Sequence, residues 1–143
     1  MDIALTNSLS GLLAAQKRIE VAASNIANAG SDGPLPDAPA ASDENVPKAY
    51  QPLRVDQQPL LSGGTIAQTA LVDPAAQASY SPDSPYANAQ GEVAVPNVDL
   101  TTEIVNTIVA KNAYVANLRV AQVASEIDRD ATHLGESRSD LTA

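Results

Sequence analysis

Large aliphatic residues recur every seven positions at both ends of this chain. In the first thirty residues Leu5, Leu12, Ile19 and Ile26 form one series, and Leu9, Gln16 and Ala23 fall four positions after the first three. That spacing makes the seam of a helix that packs along another helix. Ala14, Ala15, Ala22 and Ala27 favour the helix intrinsically. Asn28-Ala29-Gly30 offers a stop, because glycine readily takes the left-handed cap conformation. The pattern predicts a helix over residues 3–28. Toward the other end Val109, Ala116 and Val123 form one series, and Ala113, Val120, Ile127 and Leu134 form another. Ile104, Ile108 and Val115 widen this second stripe enough to touch more than one partner. Asp99 is placed to cap this helix, with Glu103 in its first turn, and Gly135 is expected to end it.

Between the helices the pattern changes. All ten prolines lie from Pro34 to Pro96. Residues 30–46, rich in Pro, Asp, Ala and Ser, read as an ordered loop at best. Tyr50 to Val55 and Thr65 to Val72 read as strands, and Ser62-Gly63-Gly64 as the turn of a small hairpin. Pro52 and Pro59 confine the first strand to an edge or break it. Residues 73–91 read as turns, and Val93-Ala94-Val95 as one short strand. The expected fold class is α+β, with long terminal helices packing as a coiled coil around a small Pro-rich hairpin region. Its segments are an N-terminal helix (1–30), an acidic middle (31–98), a C-terminal helix (99–135) and an acidic tail (136–143).

Composition makes a self-sufficient core doubtful. Of the 143 residues 44% are hydrophobic, but 26 are alanine, and there is no Trp or Phe. Alanine seams bury little area per residue, so stability must be shared among many surfaces. Neither terminal helix has enough chain beside it to cover its stripe, which predicts a subunit completed by its neighbours. The net charge is −9, and most of the excess lies in the middle segment. No basic footprint suits nucleic acid. No apolar run approaches the ~18 residues of a membrane span. The N-terminus lacks the basic start and apolar stretch of a cleaved secretory signal.

Residues suited to chemistry are sparse. Without cysteine there is no disulfide or thiolate metal site. Glu126, Asp128 and Asp130 cluster, yet a calcium loop begun at Asp128 needs glycine where His133 stands and a carboxylate where Ser139 stands. A solvated helix face, with Arg129 three residues from Glu126, fits better. His133 is the only histidine, and its place in the expected last helical turn suits the helix dipole. Gln16 is either a register-setting polar residue in the seam or a point where the seam meets solvent. Gly63-Gly64 has no following lysine and marks a turn, not a phosphate cradle. No cofactor, metal or catalytic residue is indicated.

One constellation is specific. Leu9-Ser10-Gly11-Leu12, then Gln16, then Ser24-Asn25-Ile26-Ala27-Asn28-Ala29 resembles the N-terminal signature of the flagellar rod and hook proteins. Tyr80-Ser81-Pro82-Asp83, Pro85, Ala87-Asn88, Gly91, Val93 and Pro96-Asn97-Val98 resemble the approach to the last helix in the C-type proximal-rod branch of that family. Glu103 and Ala113-Tyr114-Val115-Ala116-Asn117 resemble that helix itself. The chain departs from the pattern at Gly30-Ser31-Asp32-Gly33, at Glu126, Asp128 and Asp130, and in its added acidic tail, which leaves room for a divergent paralogue.

The resemblance implies a structural subunit of the basal-body proximal rod that polymerises in the periplasm and carries torque. It implies export by the flagellar type III apparatus without a cleavable signal. The implied partners are other rod subunits and further copies of the chain, with the terminal helices inside and the acidic middle outward. A soluble, non-enzymatic helical adaptor that binds one partner helix is the alternative.

Overall fold

The computed structural model describes residues 2–36, 38 and 45–140. Part of the expected loop over 30–46, and residues 141–143 of the expected tail, lie outside them. The order of elements is α1 (Asp2–Asn28), β1 (Leu53–Pro59), β2 (Thr65–Leu71), β3 (Ala76–Tyr80), β4 (Glu92–Pro96) and α2 (Leu100–Asp140). The fold is α+β, with two long helices and two small antiparallel sheets.

The helices run antiparallel. Asn25, near the end of α1, bonds Glu103 at the start of α2, and Gly11 faces Asn117 three to four turns further along. Small or polar side chains make this contact. Ser8, Ala15, Ala22 and Asn25 of α1 are buried, as are Ala110 and Ala124 of α2, and Ala113, Asn117 and Ala121 are half-buried. Small residues let two backbones approach closely, but they leave the larger aliphatics no place between the helices. Leu9, Val109, Val120, Val123 and Ile127 are exposed instead. Within one chain the helix contact is therefore not the bulky seven-spaced series but the small-residue face beside it.

A different side of α1 carries the first sheet. β1 pairs with β2 antiparallel, from Leu53 opposite Leu71 to Pro59 opposite Thr65. β1 starts three residues later than the spacing predicts and runs on to Pro59. Tyr50 is used elsewhere, and Pro52, which is buried, has no N–H to donate to the ladder, although its carbonyl accepts from Val72 N–H at 3.0 Å. The connecting turn closes through Gly63 N–H to Leu60 O (3.0 Å) and Leu60 N–H to Gly64 O (3.1 Å). Gly63 and Gly64 both have positive φ, 89° and 83°, a conformation that side-chain-bearing residues resist.

β3 corrects the expectation of turns throughout 73–91. Its sequence, Ala-Gln-Ala-Ser-Tyr, has no β-branched residue to signal a strand. It is a strand because β4 lies alongside, from Ala76 opposite Pro96 to Tyr80 opposite Glu92. The other edge of β4 bonds Gly33, with Gly33 N–H to Ala94 O at 3.1 Å and Ala94 N–H to Gly33 O at 2.9 Å. A Cβ on Gly33 would lie 2.5 Å from Ala49 N, so only glycine lets the three segments meet there. Val93, Ala94 and Pro96 are buried at this second centre of packing.

The C-terminal helix also runs further than expected. Gly135 does not end it, and α2 continues to Asp140. Glycine inside a helix costs only about 1 kcal/mol relative to alanine, and no proline follows to stop the chain. His133 consequently sits about two turns inside the helix, not in its last turn.

The Gly11–Asn117 contact yields a sign-changing test. A Cβ on Gly11 would fall 2.5 Å from Asn117 Oδ1, and that side chain is held by its Nδ2–H bond to Ala113 O (2.8 Å). Overpacking of this kind costs about 1–3 kcal/mol, against a helix-propensity gain of up to about 1 kcal/mol. Gly11→Ala is expected to destabilise the subunit by about 1 kcal/mol in urea titration. In an Asn117→Ala background the same change is expected to stabilise it.

Candidate functional site

The residues picked out by sequence fall into a polar clamp that sets the subunit's shape and a set of apolar faces that the shape leaves open. Asn25 is the centre of the clamp. It is completely buried (0% exposed) on α1, and its amide makes all four bonds available to it. Nδ2 donates to Leu53 O and to Glu103 Oε1, each at 2.7 Å. Oδ1 accepts from Leu53 N–H and from the Tyr50 hydroxyl, each at 3.1 Å. Since the Tyr50 proton goes to Asn25, the Ser24 hydroxyl donates to Tyr50 Oη across 3.0 Å. One side chain thus ties α1 to the first strand and to the start of α2. A full set of bonds is what allows an amide to be buried without penalty.

Ser10 performs the same task at the far end of the sheet. Its hydroxyl donates to Asn7 O (2.7 Å) and accepts from Thr65 N–H (3.1 Å). A Cβ on Gly64 would meet Ser10 Oγ at 2.5 Å, and one on Gly63 would meet the Asn7 amide. The β1–β2 turn therefore rests directly on α1. In the Ser10-Gly11-Leu12 motif, Ser10 holds the sheet, Gly11 admits α2, and Leu12 is half-buried on the remaining side.

The entry to α2 is fixed by its own motif. Pro96 is buried at the end of β4. Asn97 bonds through Nδ2–H to Pro74 O and through its backbone N–H to Ala75 O, both at 3.0 Å, and the Val98 N–H bonds back to Pro96 O. Asp99 then caps the helix, accepting from Thr101 N–H (2.9 Å) and from the Thr102 hydroxyl (2.8 Å). The Thr102 bonds, then that from Thr101, hold the Asp99 carboxyl below its usual range. A lowered folded value means that the cap acts at full strength above the ordinary carboxylate pKa. Its contribution is lost as pH falls through the lowered one. Of the remaining motif residues, Asn28 folds back through Nδ2–H to Ser24 O, while Ile26, Ala27 and Tyr114 stay exposed.

Tyr50, Glu103 and Ser31, whose hydroxyl accepts from Tyr50 N–H, are clamp residues that periodicity could not find. The signal available was a lone asparagine at a helix position that turns out to be buried. Gln16 is exposed and bonds Glu20 at 2.9 Å, so at that turn the series meets solvent.

The open faces hold most of the bulky side chains. On α1, Leu5, Leu12 and Ile19 are half-buried and Leu9 is 56% exposed. Helical spacing puts them on the side away from Asn7, Ser10, Ala14 and Val21, which face the first sheet. On α2 one flank shows Val109, Ala116, Val120, Val123 and Ile127, and the other Ile104, Ile108, Val115 and Leu118. Contiguous exposed apolar surface of this kind marks a site of association. Among the described residues no group of three or more His, Cys, Asp or Glu could hold a metal, and no helix is long and apolar enough to cross a membrane.

Known families match at both ends. The family model described as flagella basal body rod protein matches residues 5–34. That described as flagellar basal body rod FlgEFG protein C-terminal matches residues 89–134. The chain is 34% identical over 130 residues to the flagellar basal-body rod protein FlgC of Salmonella typhimurium, covering 89% of this chain and 92% of that one. The protein of the same description from Yersinia enterocolitica is also 34% identical, with the same coverage. That of Aquifex aeolicus is 32% identical over 132 residues.

The clamp makes two predictions. Asn25→Ala leaves Leu53 N–H and the Glu103 carboxylate without their partner, and a cost of about 2–4 kcal/mol is expected in denaturant titration. Asn25→Asp replaces the donor with a carboxyl facing Glu103, which raises the pKa of the pair. With folded values raised, stability is present at low pH and lost as pH rises through them. The gap in melting temperature between Asn25→Asp and the parent should be smaller at pH 4.5 than at pH 8.

Proposed function

The chain belongs to the flagellar basal-body rod protein family, and on that premise we propose that it is a structural subunit of the rod that polymerises through its two terminal helices. The observation that carries this reading is the distribution of apolar side chains. The subunit closes its own helix pair with alanine, glycine, serine and asparagine, and presents leucine, isoleucine and valine outward. Those outward series, Leu5, Leu9, Leu12, Ile19 and Ile26 on α1 and Val109, Ala116, Val120, Val123 and Ile127 on α2, are the assembly seams. Ala113 belongs instead to the half-buried contact with α1.

Seams on both flanks of a helix can engage two neighbours at once, and coiled-coil packing between subunits follows from their seven-residue spacing. Heterologous contacts that do not close generate helical tubes. The terminal helices form the wall of the tube and the Pro-rich middle with its hairpin faces outward, so the assembly transmits torque along the proximal rod. The subunit reaches the periplasm through the flagellar type III export apparatus. Its partners are other rod subunits and copies of itself, and its role is mechanical and not catalytic.

Val120 separates assembly from folding. It is 50% exposed in the free subunit, so Val120→Asp is expected to change subunit stability by no more than about 0.5 kcal/mol. In the rod the same carboxylate is buried unpaired, and rod formation and swimming should be abolished. Asp83→Ala, on the exposed surface of the middle segment, should leave both intact. The readouts are thermal unfolding of the purified subunit, motility, and rod content of isolated basal bodies at matched expression. Complete rods in the Val120→Asp strain would show that this face is not a seam.

A further inference from the structure

The antiparallel register leaves α2 longer than its partner. Asn25 meets Glu103 and Gly11 faces Asn117, so each step toward the start of α1 is one step toward the end of α2. Asp2, the first residue of α1, is thereby level with Glu126. Residues 127–140 of α2 continue beyond it for about 21 Å at 1.5 Å per residue, with no α1 alongside.

Charge divides at the same level. Residues 104–125 contain Lys111 and Arg119 and no acid; on α1, Lys17 and Arg18 are followed by Glu20, which pairs with Lys17 at 3.4 Å. From Glu126 to Leu134 the sign reverses, with Glu126, Asp128 and Asp130 against Arg129. Helical spacing also aligns the two zones. Arg119 stands two residues after Asn117, and Glu126 two after Ala124, so both point away from the contact with α1, and Asp130 follows one turn beyond Glu126. Ile108 and Val115 lie two residues before Ala110 and Asn117 on the same outward side, and both are exposed.

We propose that the acidic end of α2 docks on a second copy of this chain. Glu126 and Asp130 lie against the acid-free stretch of its α2, beside Arg119 and Lys111. The contact is head to tail: one copy offers its projecting end, the next its basic middle, and both surfaces remain available for further addition. Opposite charges meeting across such an interface fix register and direction, while the apolar residues between them supply burial. This inference rests on the assembly reading above and specifies the axial contact within it.

The absence of native cysteine makes a direct test possible. A chain carrying both Arg119→Cys and Asp130→Cys is expressed in place of the parent, oxidised in isolated basal bodies and run without reductant. The two sites are eleven residues apart on one helix, about 16 Å, beyond the ~7 Å Cα separation that a disulfide can bridge. Every 119–130 bond is therefore between chains. The expected result is a ladder of dimers, trimers and longer species, with each single-cysteine variant giving no species beyond a dimer. Rods that form normally but yield only monomers, or dimers that go no further, overturn the head-to-tail contact while leaving the assembly reading intact. Failure of the parent chain to enter rods at all overturns both.

Charge reversal gives a second readout should the cysteine variant not assemble. Lys111→Glu with Arg119→Glu is expected to lower rod content about tenfold or more. Adding Glu126→Lys and Asp130→Lys to the same chain is expected to restore it. No restoration, with subunit folding verified by circular dichroism, overturns the pairing.

Discussion

Close approach of two helix backbones is the constraint from which the rest of the subunit follows. Gly11 has no room for a Cβ beside Asn117, and the buried positions around it are Ser8, Ala15, Ala22, Ala110 and Ala124. Once small side chains hold the space between the helices, helical geometry sends the large ones elsewhere. The first sheet covers one further side of α1, through Ser10 and Asn25. Nothing within the described residues covers the faces bearing Leu9, Val120 and Val123. A chain so arranged is complete as a shape and incomplete as a hydrophobic object, as suits a structural subunit of the rod.

The polar clamp supplies what alanine cannot. Small buried side chains contribute little area and specify register weakly, since one alanine face resembles another. Asn25, with four bonds to three residues, fixes how α1, β1 and α2 meet. Ser10 fixes where the β1–β2 turn rests, and Asp99 fixes where α2 begins. Each is a short polar residue whose partners are backbone groups or well-held side chains, so each restricts geometry at little conformational cost. The subunit thereby presents its open apolar faces at a defined spacing, which the proposed assembly requires of every copy.

Much of this was legible in the residues. Both helices and the cap at Asp99 followed from seven-residue spacing and terminal chemistry, and Val93 to Val95 was readable as a strand. The partner of each face was not legible. Periodicity shows that Leu5 and Leu12 share a stripe, but not whether that stripe meets the other helix of the same chain or a neighbour. Here the adjacent, less hydrophobic stripe took the internal contact, because two glycine- and alanine-lined surfaces fit more closely than two leucine-lined ones. β3 was hidden by its alanines and is held by pairing with β4. Gly135 looked like a stop, yet a single glycine costs too little to end a long helix. Tyr50 and Glu103 entered the clamp through tertiary contacts spanning 25 and 78 residues, a range no local pattern reports.

Hydroxyl-radical footprinting with mass spectrometry tests the central claim most directly, comparing the free subunit with isolated rods. The claim is that the bulky aliphatic faces are open in the subunit and covered only in the assembly. Val21 and Val93, buried within the chain, should resist labelling in both states. Leu9, Val120 and Val123 should label readily in the free subunit and become protected in the rod. Equal labelling of those three residues in subunit and rod would contradict the account.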